Sequence, residues 1–239
     1  MSWSDPAVAA FVVIPVLLVL ALAWGANAAW RRSGAPPAAA LRASVFTCGA
    51  GFVWMALTSS AARSGVLRRW DATPPPFGLL LLAVVVLAAA VAWSGFGRRL
   101  ASCLPLWTLV AVQGFRLPLE LAMHALYLRG IMPVQMSYSG LNFDVLTGAS
   151  ALVVAALVAS GRGGRALVAA WNVLGLALLA NVVTVALLGT PRFRYFGDQS
   201  LNTWITYPPF VWLPAVMVLA ALAGHLLVFR ALRLRGAAA

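Results

Sequence analysis

The stretch that decides the fold is the first apolar run, residues 7–29, which reads AVAAFVVIPVLLVLALAWGANAA. These 23 residues include no charged side chain, and a helix of about 20 residues is long enough to cross the hydrocarbon core of a bilayer. The run is longer than the core of a signal peptide and no positively charged segment precedes it. We therefore expect a retained transmembrane helix.

Six further apolar runs of similar length follow, separated by arginines, glycines and prolines. The seven predicted helices occupy residues of about 7–29, 39–61, 77–96, 103–128, 143–160, 166–188 and 208–230. The longest connection between them is 19 residues, 189–207, which is too short for a soluble domain. Residues 1–239 are therefore predicted to form a single all-α domain, a seven-transmembrane-helix bundle. We detect no internal repeat of the kind that many transporters contain.

The composition agrees with burial in lipid. The chain is 63% hydrophobic and 9% charged, whereas about a quarter of the residues of a soluble domain are charged. All 17 basic residues are arginines; Arg116 lies inside the fourth apolar run, and the other 16 occur in ones and twos between the runs or near their ends. That pattern is typical of topology determinants and not of a nucleic-acid-binding face. Cys48 and Cys103 have no CxxC partner and are expected to be small buried side chains without a disulfide.

The arginines also predict the orientation, because cytoplasmic loops carry an excess of them. Ten lie on one side of the predicted bundle: Arg31, Arg32, Arg42, Arg98, Arg99, Arg162, Arg165, Arg230, Arg233 and Arg235. Six lie on the other: Arg63, Arg68, Arg69, Arg129, Arg192 and Arg194. All four aspartates fall on the side with six arginines. The N-terminus is therefore predicted to be outside and the C-terminus cytoplasmic, in a bacterial inner membrane.

The fourth predicted helix carries the unusual chemistry. Its polar residues Gln113, Arg116, Glu120, His124 and Tyr127 are spaced by three, four, four and three positions, which places them on one helical face. Ionisable groups at this depth are costly unless they are paired or hydrated, so the face should point into the bundle or a wet cavity. These five residues are the first candidates for a ligand-binding site.

Arg116 is expected to lie within salt-bridge reach of Glu120, one turn away, or of Asp144. Pro118, between the first two, lacks an N–H group and is expected to kink the helix and free the carbonyl of Gly114. The alternative is that a buried arginine–glutamate pair only fixes the helix register.

More polar residues lie toward the predicted outer side. One of Asn142 and Asp144 is expected to cap the fifth helix, and Asp144 has the alternative of facing Arg116 or His124. The sixth helix adds Asn172, Asn181 and Thr184, residue types that commonly form hydrogen bonds between helices. Asn142, Asp144 and Asn181 complete the candidate ligand-binding set. Residues 189–207 contain five aromatic side chains and are predicted to be either a lid or an interfacial anchor.

Several cofactor classes are excluded or left open by the residue types. Retinal requires a lysine, and the chain has none. The two histidines, His124 and His225, differ in predicted depth by about 20 Å and cannot hold one haem between them. His225 is interpreted as a capping or interfacial residue at the end of the last helix. A metal site formed by Glu120, His124 and Asp144 stays open, and no nucleotide or hydrolase motif is present. The sequence assigns no cofactor.

Four segments of the C-terminal half resemble a family of uncharacterised bacterial multi-pass membrane proteins: RLPLE at 116–120, GLNFDVLTG at 140–148, WNVLG at 171–175 and YPPFVWLP at 207–214. The resemblance covers residues of about 105–230. It implies that these positions belong together, including Arg116 and Glu120, and it brings no activity, cofactor or substrate.

Three functions remain as hypotheses. The leading one is binding or transport of a small molecule in an outward-facing polar pocket on the fourth helix. The second is a membrane-embedded enzyme that uses Glu120 and His124 on a lipid-like substrate. The third is a structural subunit of a larger membrane complex. The partners expected are therefore the lipid bilayer and a small or lipid-like ligand, and not nucleic acid; the sequence identifies no protein partner.

Overall fold

Apolar helices make up most of the computed structural model, which describes residues 5–236. Helix accounts for 77% of the chain, and no strand occurs among the described residues. The helices are α1 (Pro6–Arg32), α2 (Pro37–Arg63), α3 (Pro76–Trp93), α4 (Gly95–Cys103), α5 (Leu106–Ala111), α6 (Arg116–Leu128), α7 (Val145–Ala159), α8 (Arg165–Leu188) and α9 (Leu219–Gly236). The first three begin with proline, whose fixed φ and missing N–H suit the first helical position.

Five helical segments in the described part are long and apolar enough to cross a membrane: α1, α2, α3, α8 and the segment Leu213–Arg235. A sixth candidate is the bent pair formed by α4 and the segment Leu106–Leu128. The apolar helix α7 has 15 residues and falls below the length of the others. An all-helical, multi-pass membrane protein is therefore the class that this fold supports.

The predicted helix over 103–128 differs most from the structure. The chain bends by 113° between α4 and the segment that starts at Leu106. The cause is Pro105, which forces Leu104 into extended backbone with ψ of 143°. The preceding predicted helix, 77–96, also ends early, at Trp93, because Ser94 is extended and its hydroxyl caps the amide of Gly97 at the start of α4.

Helical geometry changes just before Pro118, where Val112–Phe115 form a 3₁₀ turn. This turn includes Gly114, whose carbonyl cannot accept from Pro118, and the kink expected there stays a prediction. Pro118 is the third residue of α6, a position whose N–H would have no partner within that helix, so the proline does not break it.

The last predicted helix, 208–230, is shifted along the chain. Helical structure begins with a π-helical turn at Leu213–Val218, after Pro208 and Pro209, and continues through α9 to Gly236. Arg230 therefore lies within α9, and its guanidinium donates to the carbonyl of Ser94 at 2.8 Å.

Two apolar clusters occupy the ends of the bundle. One contains Phe11, Trp204 and Phe210, whose rings pack edge to face with centroids 5.1 to 5.8 Å apart. The other contains Leu109 and Val110 of α5 together with parts of α8 and α9. Along the chain, Arg116 lies between Leu109 and Val110 of α5, in the second cluster, and the α6 residues of the first cluster. A polar layer around Arg116 therefore separates the two clusters.

The aromatic loop 189–207 is buried in one part and exposed in another. Trp204 is buried in the first cluster, whereas Phe193 and Tyr195 are exposed. Its C-terminal part is thus packed against the helices.

Candidate functional site

The polar layer is built around Arg116, the first residue of α6, which is 1% exposed. Its Nε lies 2.7 Å from Oδ2 of Asp144, and its Nη1 lies 3.0 Å from Nε2 of His225. The prediction that Arg116 has an acidic partner is confirmed, and the partner is Asp144. Among residues 5–236, Arg116 has no ion pair with Glu120.

Close packing of α7 against α6 makes this ion pair possible. A Cβ atom on Gly148 would lie 2.3 Å from the backbone nitrogen of Leu117, so only glycine allows this approach. Asp144 lies one helical turn before Gly148 and is therefore brought beside Arg116. Asp144 occupies the N-cap position of α7, but its side chain makes no capping hydrogen bond. The nearest equivalent comes from Asn142, whose Oδ1 accepts from the amide of Asp144 at 3.0 Å.

Glu120 has a different partner. The Nδ2 group of Asn142 donates to its Oε2 at 2.8 Å and also to the carbonyl of Met136 at 3.0 Å. Among the described residues no hydrogen bond to Oε1 of Glu120 is found, and Oδ1 of Asp144 is a buried carboxylate oxygen without a partner. The interpretation that Arg116 and Glu120 neutralise each other through a direct ion pair is therefore wrong, because the guanidinium of Arg116 is paired with Asp144.

His225 is the residue that the sequence interpretation missed. It is fully buried, and its Nδ1 lies 2.8 Å from Oδ1 of Asn172. The Nδ2 group of Asn172 donates to the carbonyl of His225, so Oδ1 of Asn172 faces the ring and can only accept. The ring proton therefore sits on Nδ1, and the lone pair of Nε2 receives Arg116.

The expectation of an interfacial His225 is wrong because α9 continues 11 residues beyond it. The sequence did contain a signal for this position, because an ionisable residue within a transmembrane segment almost always faces the interior of the bundle or a water-filled cavity. Gly175 makes room for the ring of His225, which a Cβ atom at this position would meet at 2.5 Å, and Gly224 makes room for Gln113, which a Cβ atom there would meet at 2.2 Å.

A small cavity adjoins this layer. It has a volume of about 50 Å³, and Arg116, Glu120 and Asp144 all line it. The rest of the lining is apolar and comes from α3, Phe115 and α6, α8, the π-helical turn, Ala221 of α9 and two residues between the longer helices, Met136 and Ile205. A water molecule occupies at least 10–15 Å³ by this measure, so roughly three or four waters or a small charged head group would fit.

The layer does not balance its own charge. Arg116, Glu120 and Asp144 are the arginine and carboxylates that are buried in the described part of the chain. One guanidinium faces two carboxyl groups, and Nη2 of the guanidinium has no hydrogen-bond partner. A buried charge is stable only when it is paired or neutralised. Glu120 therefore requires a proton or a cation that the described residues do not supply.

The remaining candidates do not line this cavity. His124 lies outside it, with Nδ1 2.8 Å from the Ser137 hydroxyl and its ring stacked on Tyr138 at 4.2 Å. Tyr127 is half-buried, with its ring 5.7 Å from that of His124.

Asn181 and Gln113 contact backbone instead. Asn181 donates to the carbonyl of Leu141 at 2.7 Å, and Gln113 is fully buried and donates to that of Ala221 at 3.0 Å.

The three-residue metal site of Glu120, His124 and Asp144 is not formed. No three histidine, cysteine, aspartate or glutamate side chains within residues 5–236 come together in a way that could hold a metal ion. Glu120 and His124, the acid–base pair of the enzyme hypothesis, have different hydrogen-bond partners, Asn142 and Ser137.

No family model matches the chain, and neither the search of curated proteins nor that of solved structures found a match.

Proposed function

We propose that the protein is a seven-span membrane protein, with its N-terminus outside and its C-terminus in the cytoplasm, that binds a small ligand with a positively charged head group at Glu120. The topology is supported by the arginine distribution and by the five long apolar helices, to which Leu106–Leu128 and α7 add the remaining two spans. The resemblance of residues 105–230 to bacterial multi-pass membrane proteins makes the bacterial inner membrane the proposed location.

The shortness of α7 fits this topology. At about 1.5 Å per residue its 15 residues reach about 22 Å, less than the ~30 Å hydrocarbon core. Asp144 at its start is buried against Arg116, so α7 begins inside the bundle and has less than the full thickness left to cross. Irregular backbone at membrane depth is tolerated where it is buried in protein or lines a cavity. The loop that contains Met136 and Asn142 does both.

The observation that carries the ligand proposal is the second carboxylate, Glu120, on the cavity wall. Asn142 supplies one hydrogen bond to it and no charge, and Arg116 is already paired with Asp144. A cationic group in the cavity would neutralise Glu120 through Oε1. An anion would instead meet two carboxyl groups.

The apolar lining indicates the character of the rest of the ligand. Leu81 on α3 and Val182 on α8 line the cavity and are themselves partly exposed, so the site continues toward the side of the bundle. An ammonium group on an apolar body, able to enter from the bilayer, matches both parts of the wall. Transport of such a molecule across the membrane is the function that we propose for this site.

The test uses one alkyl chain with three head groups. Protein in nanodiscs of zwitterionic lipid is titrated with octylamine, octanol or octanoate, and the shift in melting temperature is measured. We expect octylamine to stabilise the wild-type protein, and octanol and octanoate to have little effect. Glu120→Gln keeps the acceptor for Asn142 but removes the charge, so it should abolish the octylamine effect. Asp71→Asn, in an exposed loop, is the matched control and should respond as the wild type does.

Equal stabilisation of wild type and Glu120→Gln by octylamine would refute the site. Equal stabilisation by all three compounds would show that only the alkyl chain is recognised, and would refute the charge preference.

A further inference from the structure

A second and larger cavity lies on the other side of α9. Its volume is about 260 Å³, and its wall is formed by α1, α2, α3, α4, α5 and α9. None of the residues that line it is charged, and Thr108 supplies its hydroxyl group. The chemistry of this cavity is therefore that of a hydrocarbon site, in contrast to the cavity at Glu120.

The cavity is elongated along the direction of the lipid chains. Along the π-helical turn and α9 its lining runs from Val216 to Leu227, which is about 16 Å at the α-helical rise. That length is roughly half of the ~30 Å hydrocarbon core, the share of one leaflet. Leu22 and Trp24, which also line the cavity, are exposed, so the cavity opens sideways into the space that lipid occupies.

One end of the cavity lies next to basic residues. Leu100 of α4 and Leu104, which follows α4, line it, and Arg98 lies two residues before Leu100 on the exposed side of the same helix. The sharp bend after α4 and the packing of its Phe96 on Trp30 are typical of a helix that lies in the membrane interface. Arg98 is exposed, and no acceptor within the described residues is bonded to it.

Two other arginines near this end of the cavity, Arg99 and Arg230, already have contacts within the protein. The guanidinium of Arg99 lies over the ring of Trp30 at 4.4 Å, and Arg230 donates to the carbonyl of Ser94. The guanidinium of Arg98, unlike those of Arg99 and Arg230, is therefore available to a ligand.

We propose that this cavity binds one acyl chain of an anionic phospholipid whose head group is held at Arg98. Hydrocarbon is the solvent around the bundle, so an apolar cavity that opens sideways is filled from the bilayer. The positive charge at its interfacial end selects a negative head group, because juxtamembrane arginines attract anionic lipids. This site does not depend on the ligand proposed for Glu120.

The experiment is photolabelling in nanodiscs of phosphatidylcholine. A phosphatidylglycerol with a diazirine in its acyl chain is incorporated at trace level, and the labelled peptides are mapped by mass spectrometry. We expect the label to concentrate on the α1 and α5 peptides that contain Trp24 and Thr108. A phosphatidylcholine probe with the same acyl chain should label them several-fold less.

Two pairs of variants divide the proposal into its parts. Ala223→Phe fills the cavity and should abolish the concentrated labelling, whereas Ala90→Phe, exposed on α3, should not. Arg98→Gln should weaken labelling about fivefold, the usual contribution of one interfacial arginine. Arg192→Gln, exposed at the opposite end of the bundle, is its control and should have no effect.

Label spread evenly over the lipid-facing peptides would overturn the cavity assignment. Equal labelling by the two head groups, or no effect of Arg98→Gln, would overturn the anionic selection. Because Arg98 is exposed, its substitution should not disturb folding, so the head-group test stands even if Ala223→Phe fails to fold.

Discussion

Substitution of Asp144 by leucine should be among the most destabilising single changes in the chain. The change leaves the buried guanidinium of Arg116 without its direct partner. At the observed 2.7 Å, two unit charges attract by about 6 kcal/mol at an effective dielectric constant of about 20. Desolvation offsets part of this attraction in the intact pair, and removal of one member of a buried pair typically costs 3–5 kcal/mol. We expect a loss of about 4 kcal/mol.

The assay is a double-mutant cycle measured by equilibrium unfolding in mixed detergent micelles. Arg116→Met and Asp144→Leu are made singly and together. The double variant leaves no orphaned charge in the pair and should be milder than Asp144→Leu alone, with a coupling energy of at least about 2 kcal/mol. The reasoning fails if Asp144→Leu costs less than about 1 kcal/mol, or if the effects of the two substitutions simply add.

Three further predictions concern topology, packing and pH. A reporter fused after Ala239 should be cytoplasmic, and a cysteine placed in 192–200 should react with an impermeant reagent from outside; protection of that loop would contradict the orientation. Gly148→Ala places a methyl group 2.3 Å from the backbone of α6 and should cost about 3 kcal/mol in unfolding measurements, whereas Gly49→Ala, with open space around it, should be neutral or slightly stabilising. A hydrogen bond from Arg129 lowers the pKa of Asp5. The bond therefore stabilises the fold above about pH 4 and is lost as the pH falls further, so Asp5→Asn should flatten the acid side of a melting-temperature profile; an unchanged profile would contradict this.

The sequence predicted most helices well where a charge or a proline marks their ends. The predicted 7–29, 39–61 and 166–188 lie within α1, α2 and α8, and each differs from the observed bounds by a few residues. Hydropathy alone could not predict the bend at Pro105, because the apolar character continues through it. Hydropathy also could not predict the hydrogen bond from Arg230, within α9, to the carbonyl of Ser94, because that carbonyl lies on a different segment of the chain.

The site was predicted in part, and for a definite physical reason. Helical periodicity identifies which residues share a face, and Gln113, Arg116 and Glu120 do lie buried on one face. It does not identify what lies opposite that face. His124 belongs to the same stripe but meets Ser137 from a loop, and His225 reaches Arg116 from a helix 109 positions along the chain. Such partners follow from tertiary packing, which the spacing of residues on one helix does not contain.

The polar layer can be a structural pair or a binding site, and the two readings differ in whether a cation that enters the cavity stabilises the protein through Glu120. A structural pair needs only Arg116 and Asp144, and a second carboxylate adds a desolvation cost without a compensating charge. Glu120→Gln should therefore leave the free energy of unfolding unchanged or raise it, because the amide still accepts from Asn142 and the excess charge is gone. In a binding site, a cation that enters the cavity neutralises Glu120 and so offsets the desolvation cost of this carboxylate. Stability that rises in Glu120→Gln while the octylamine response disappears would be the combination that only a binding site produces.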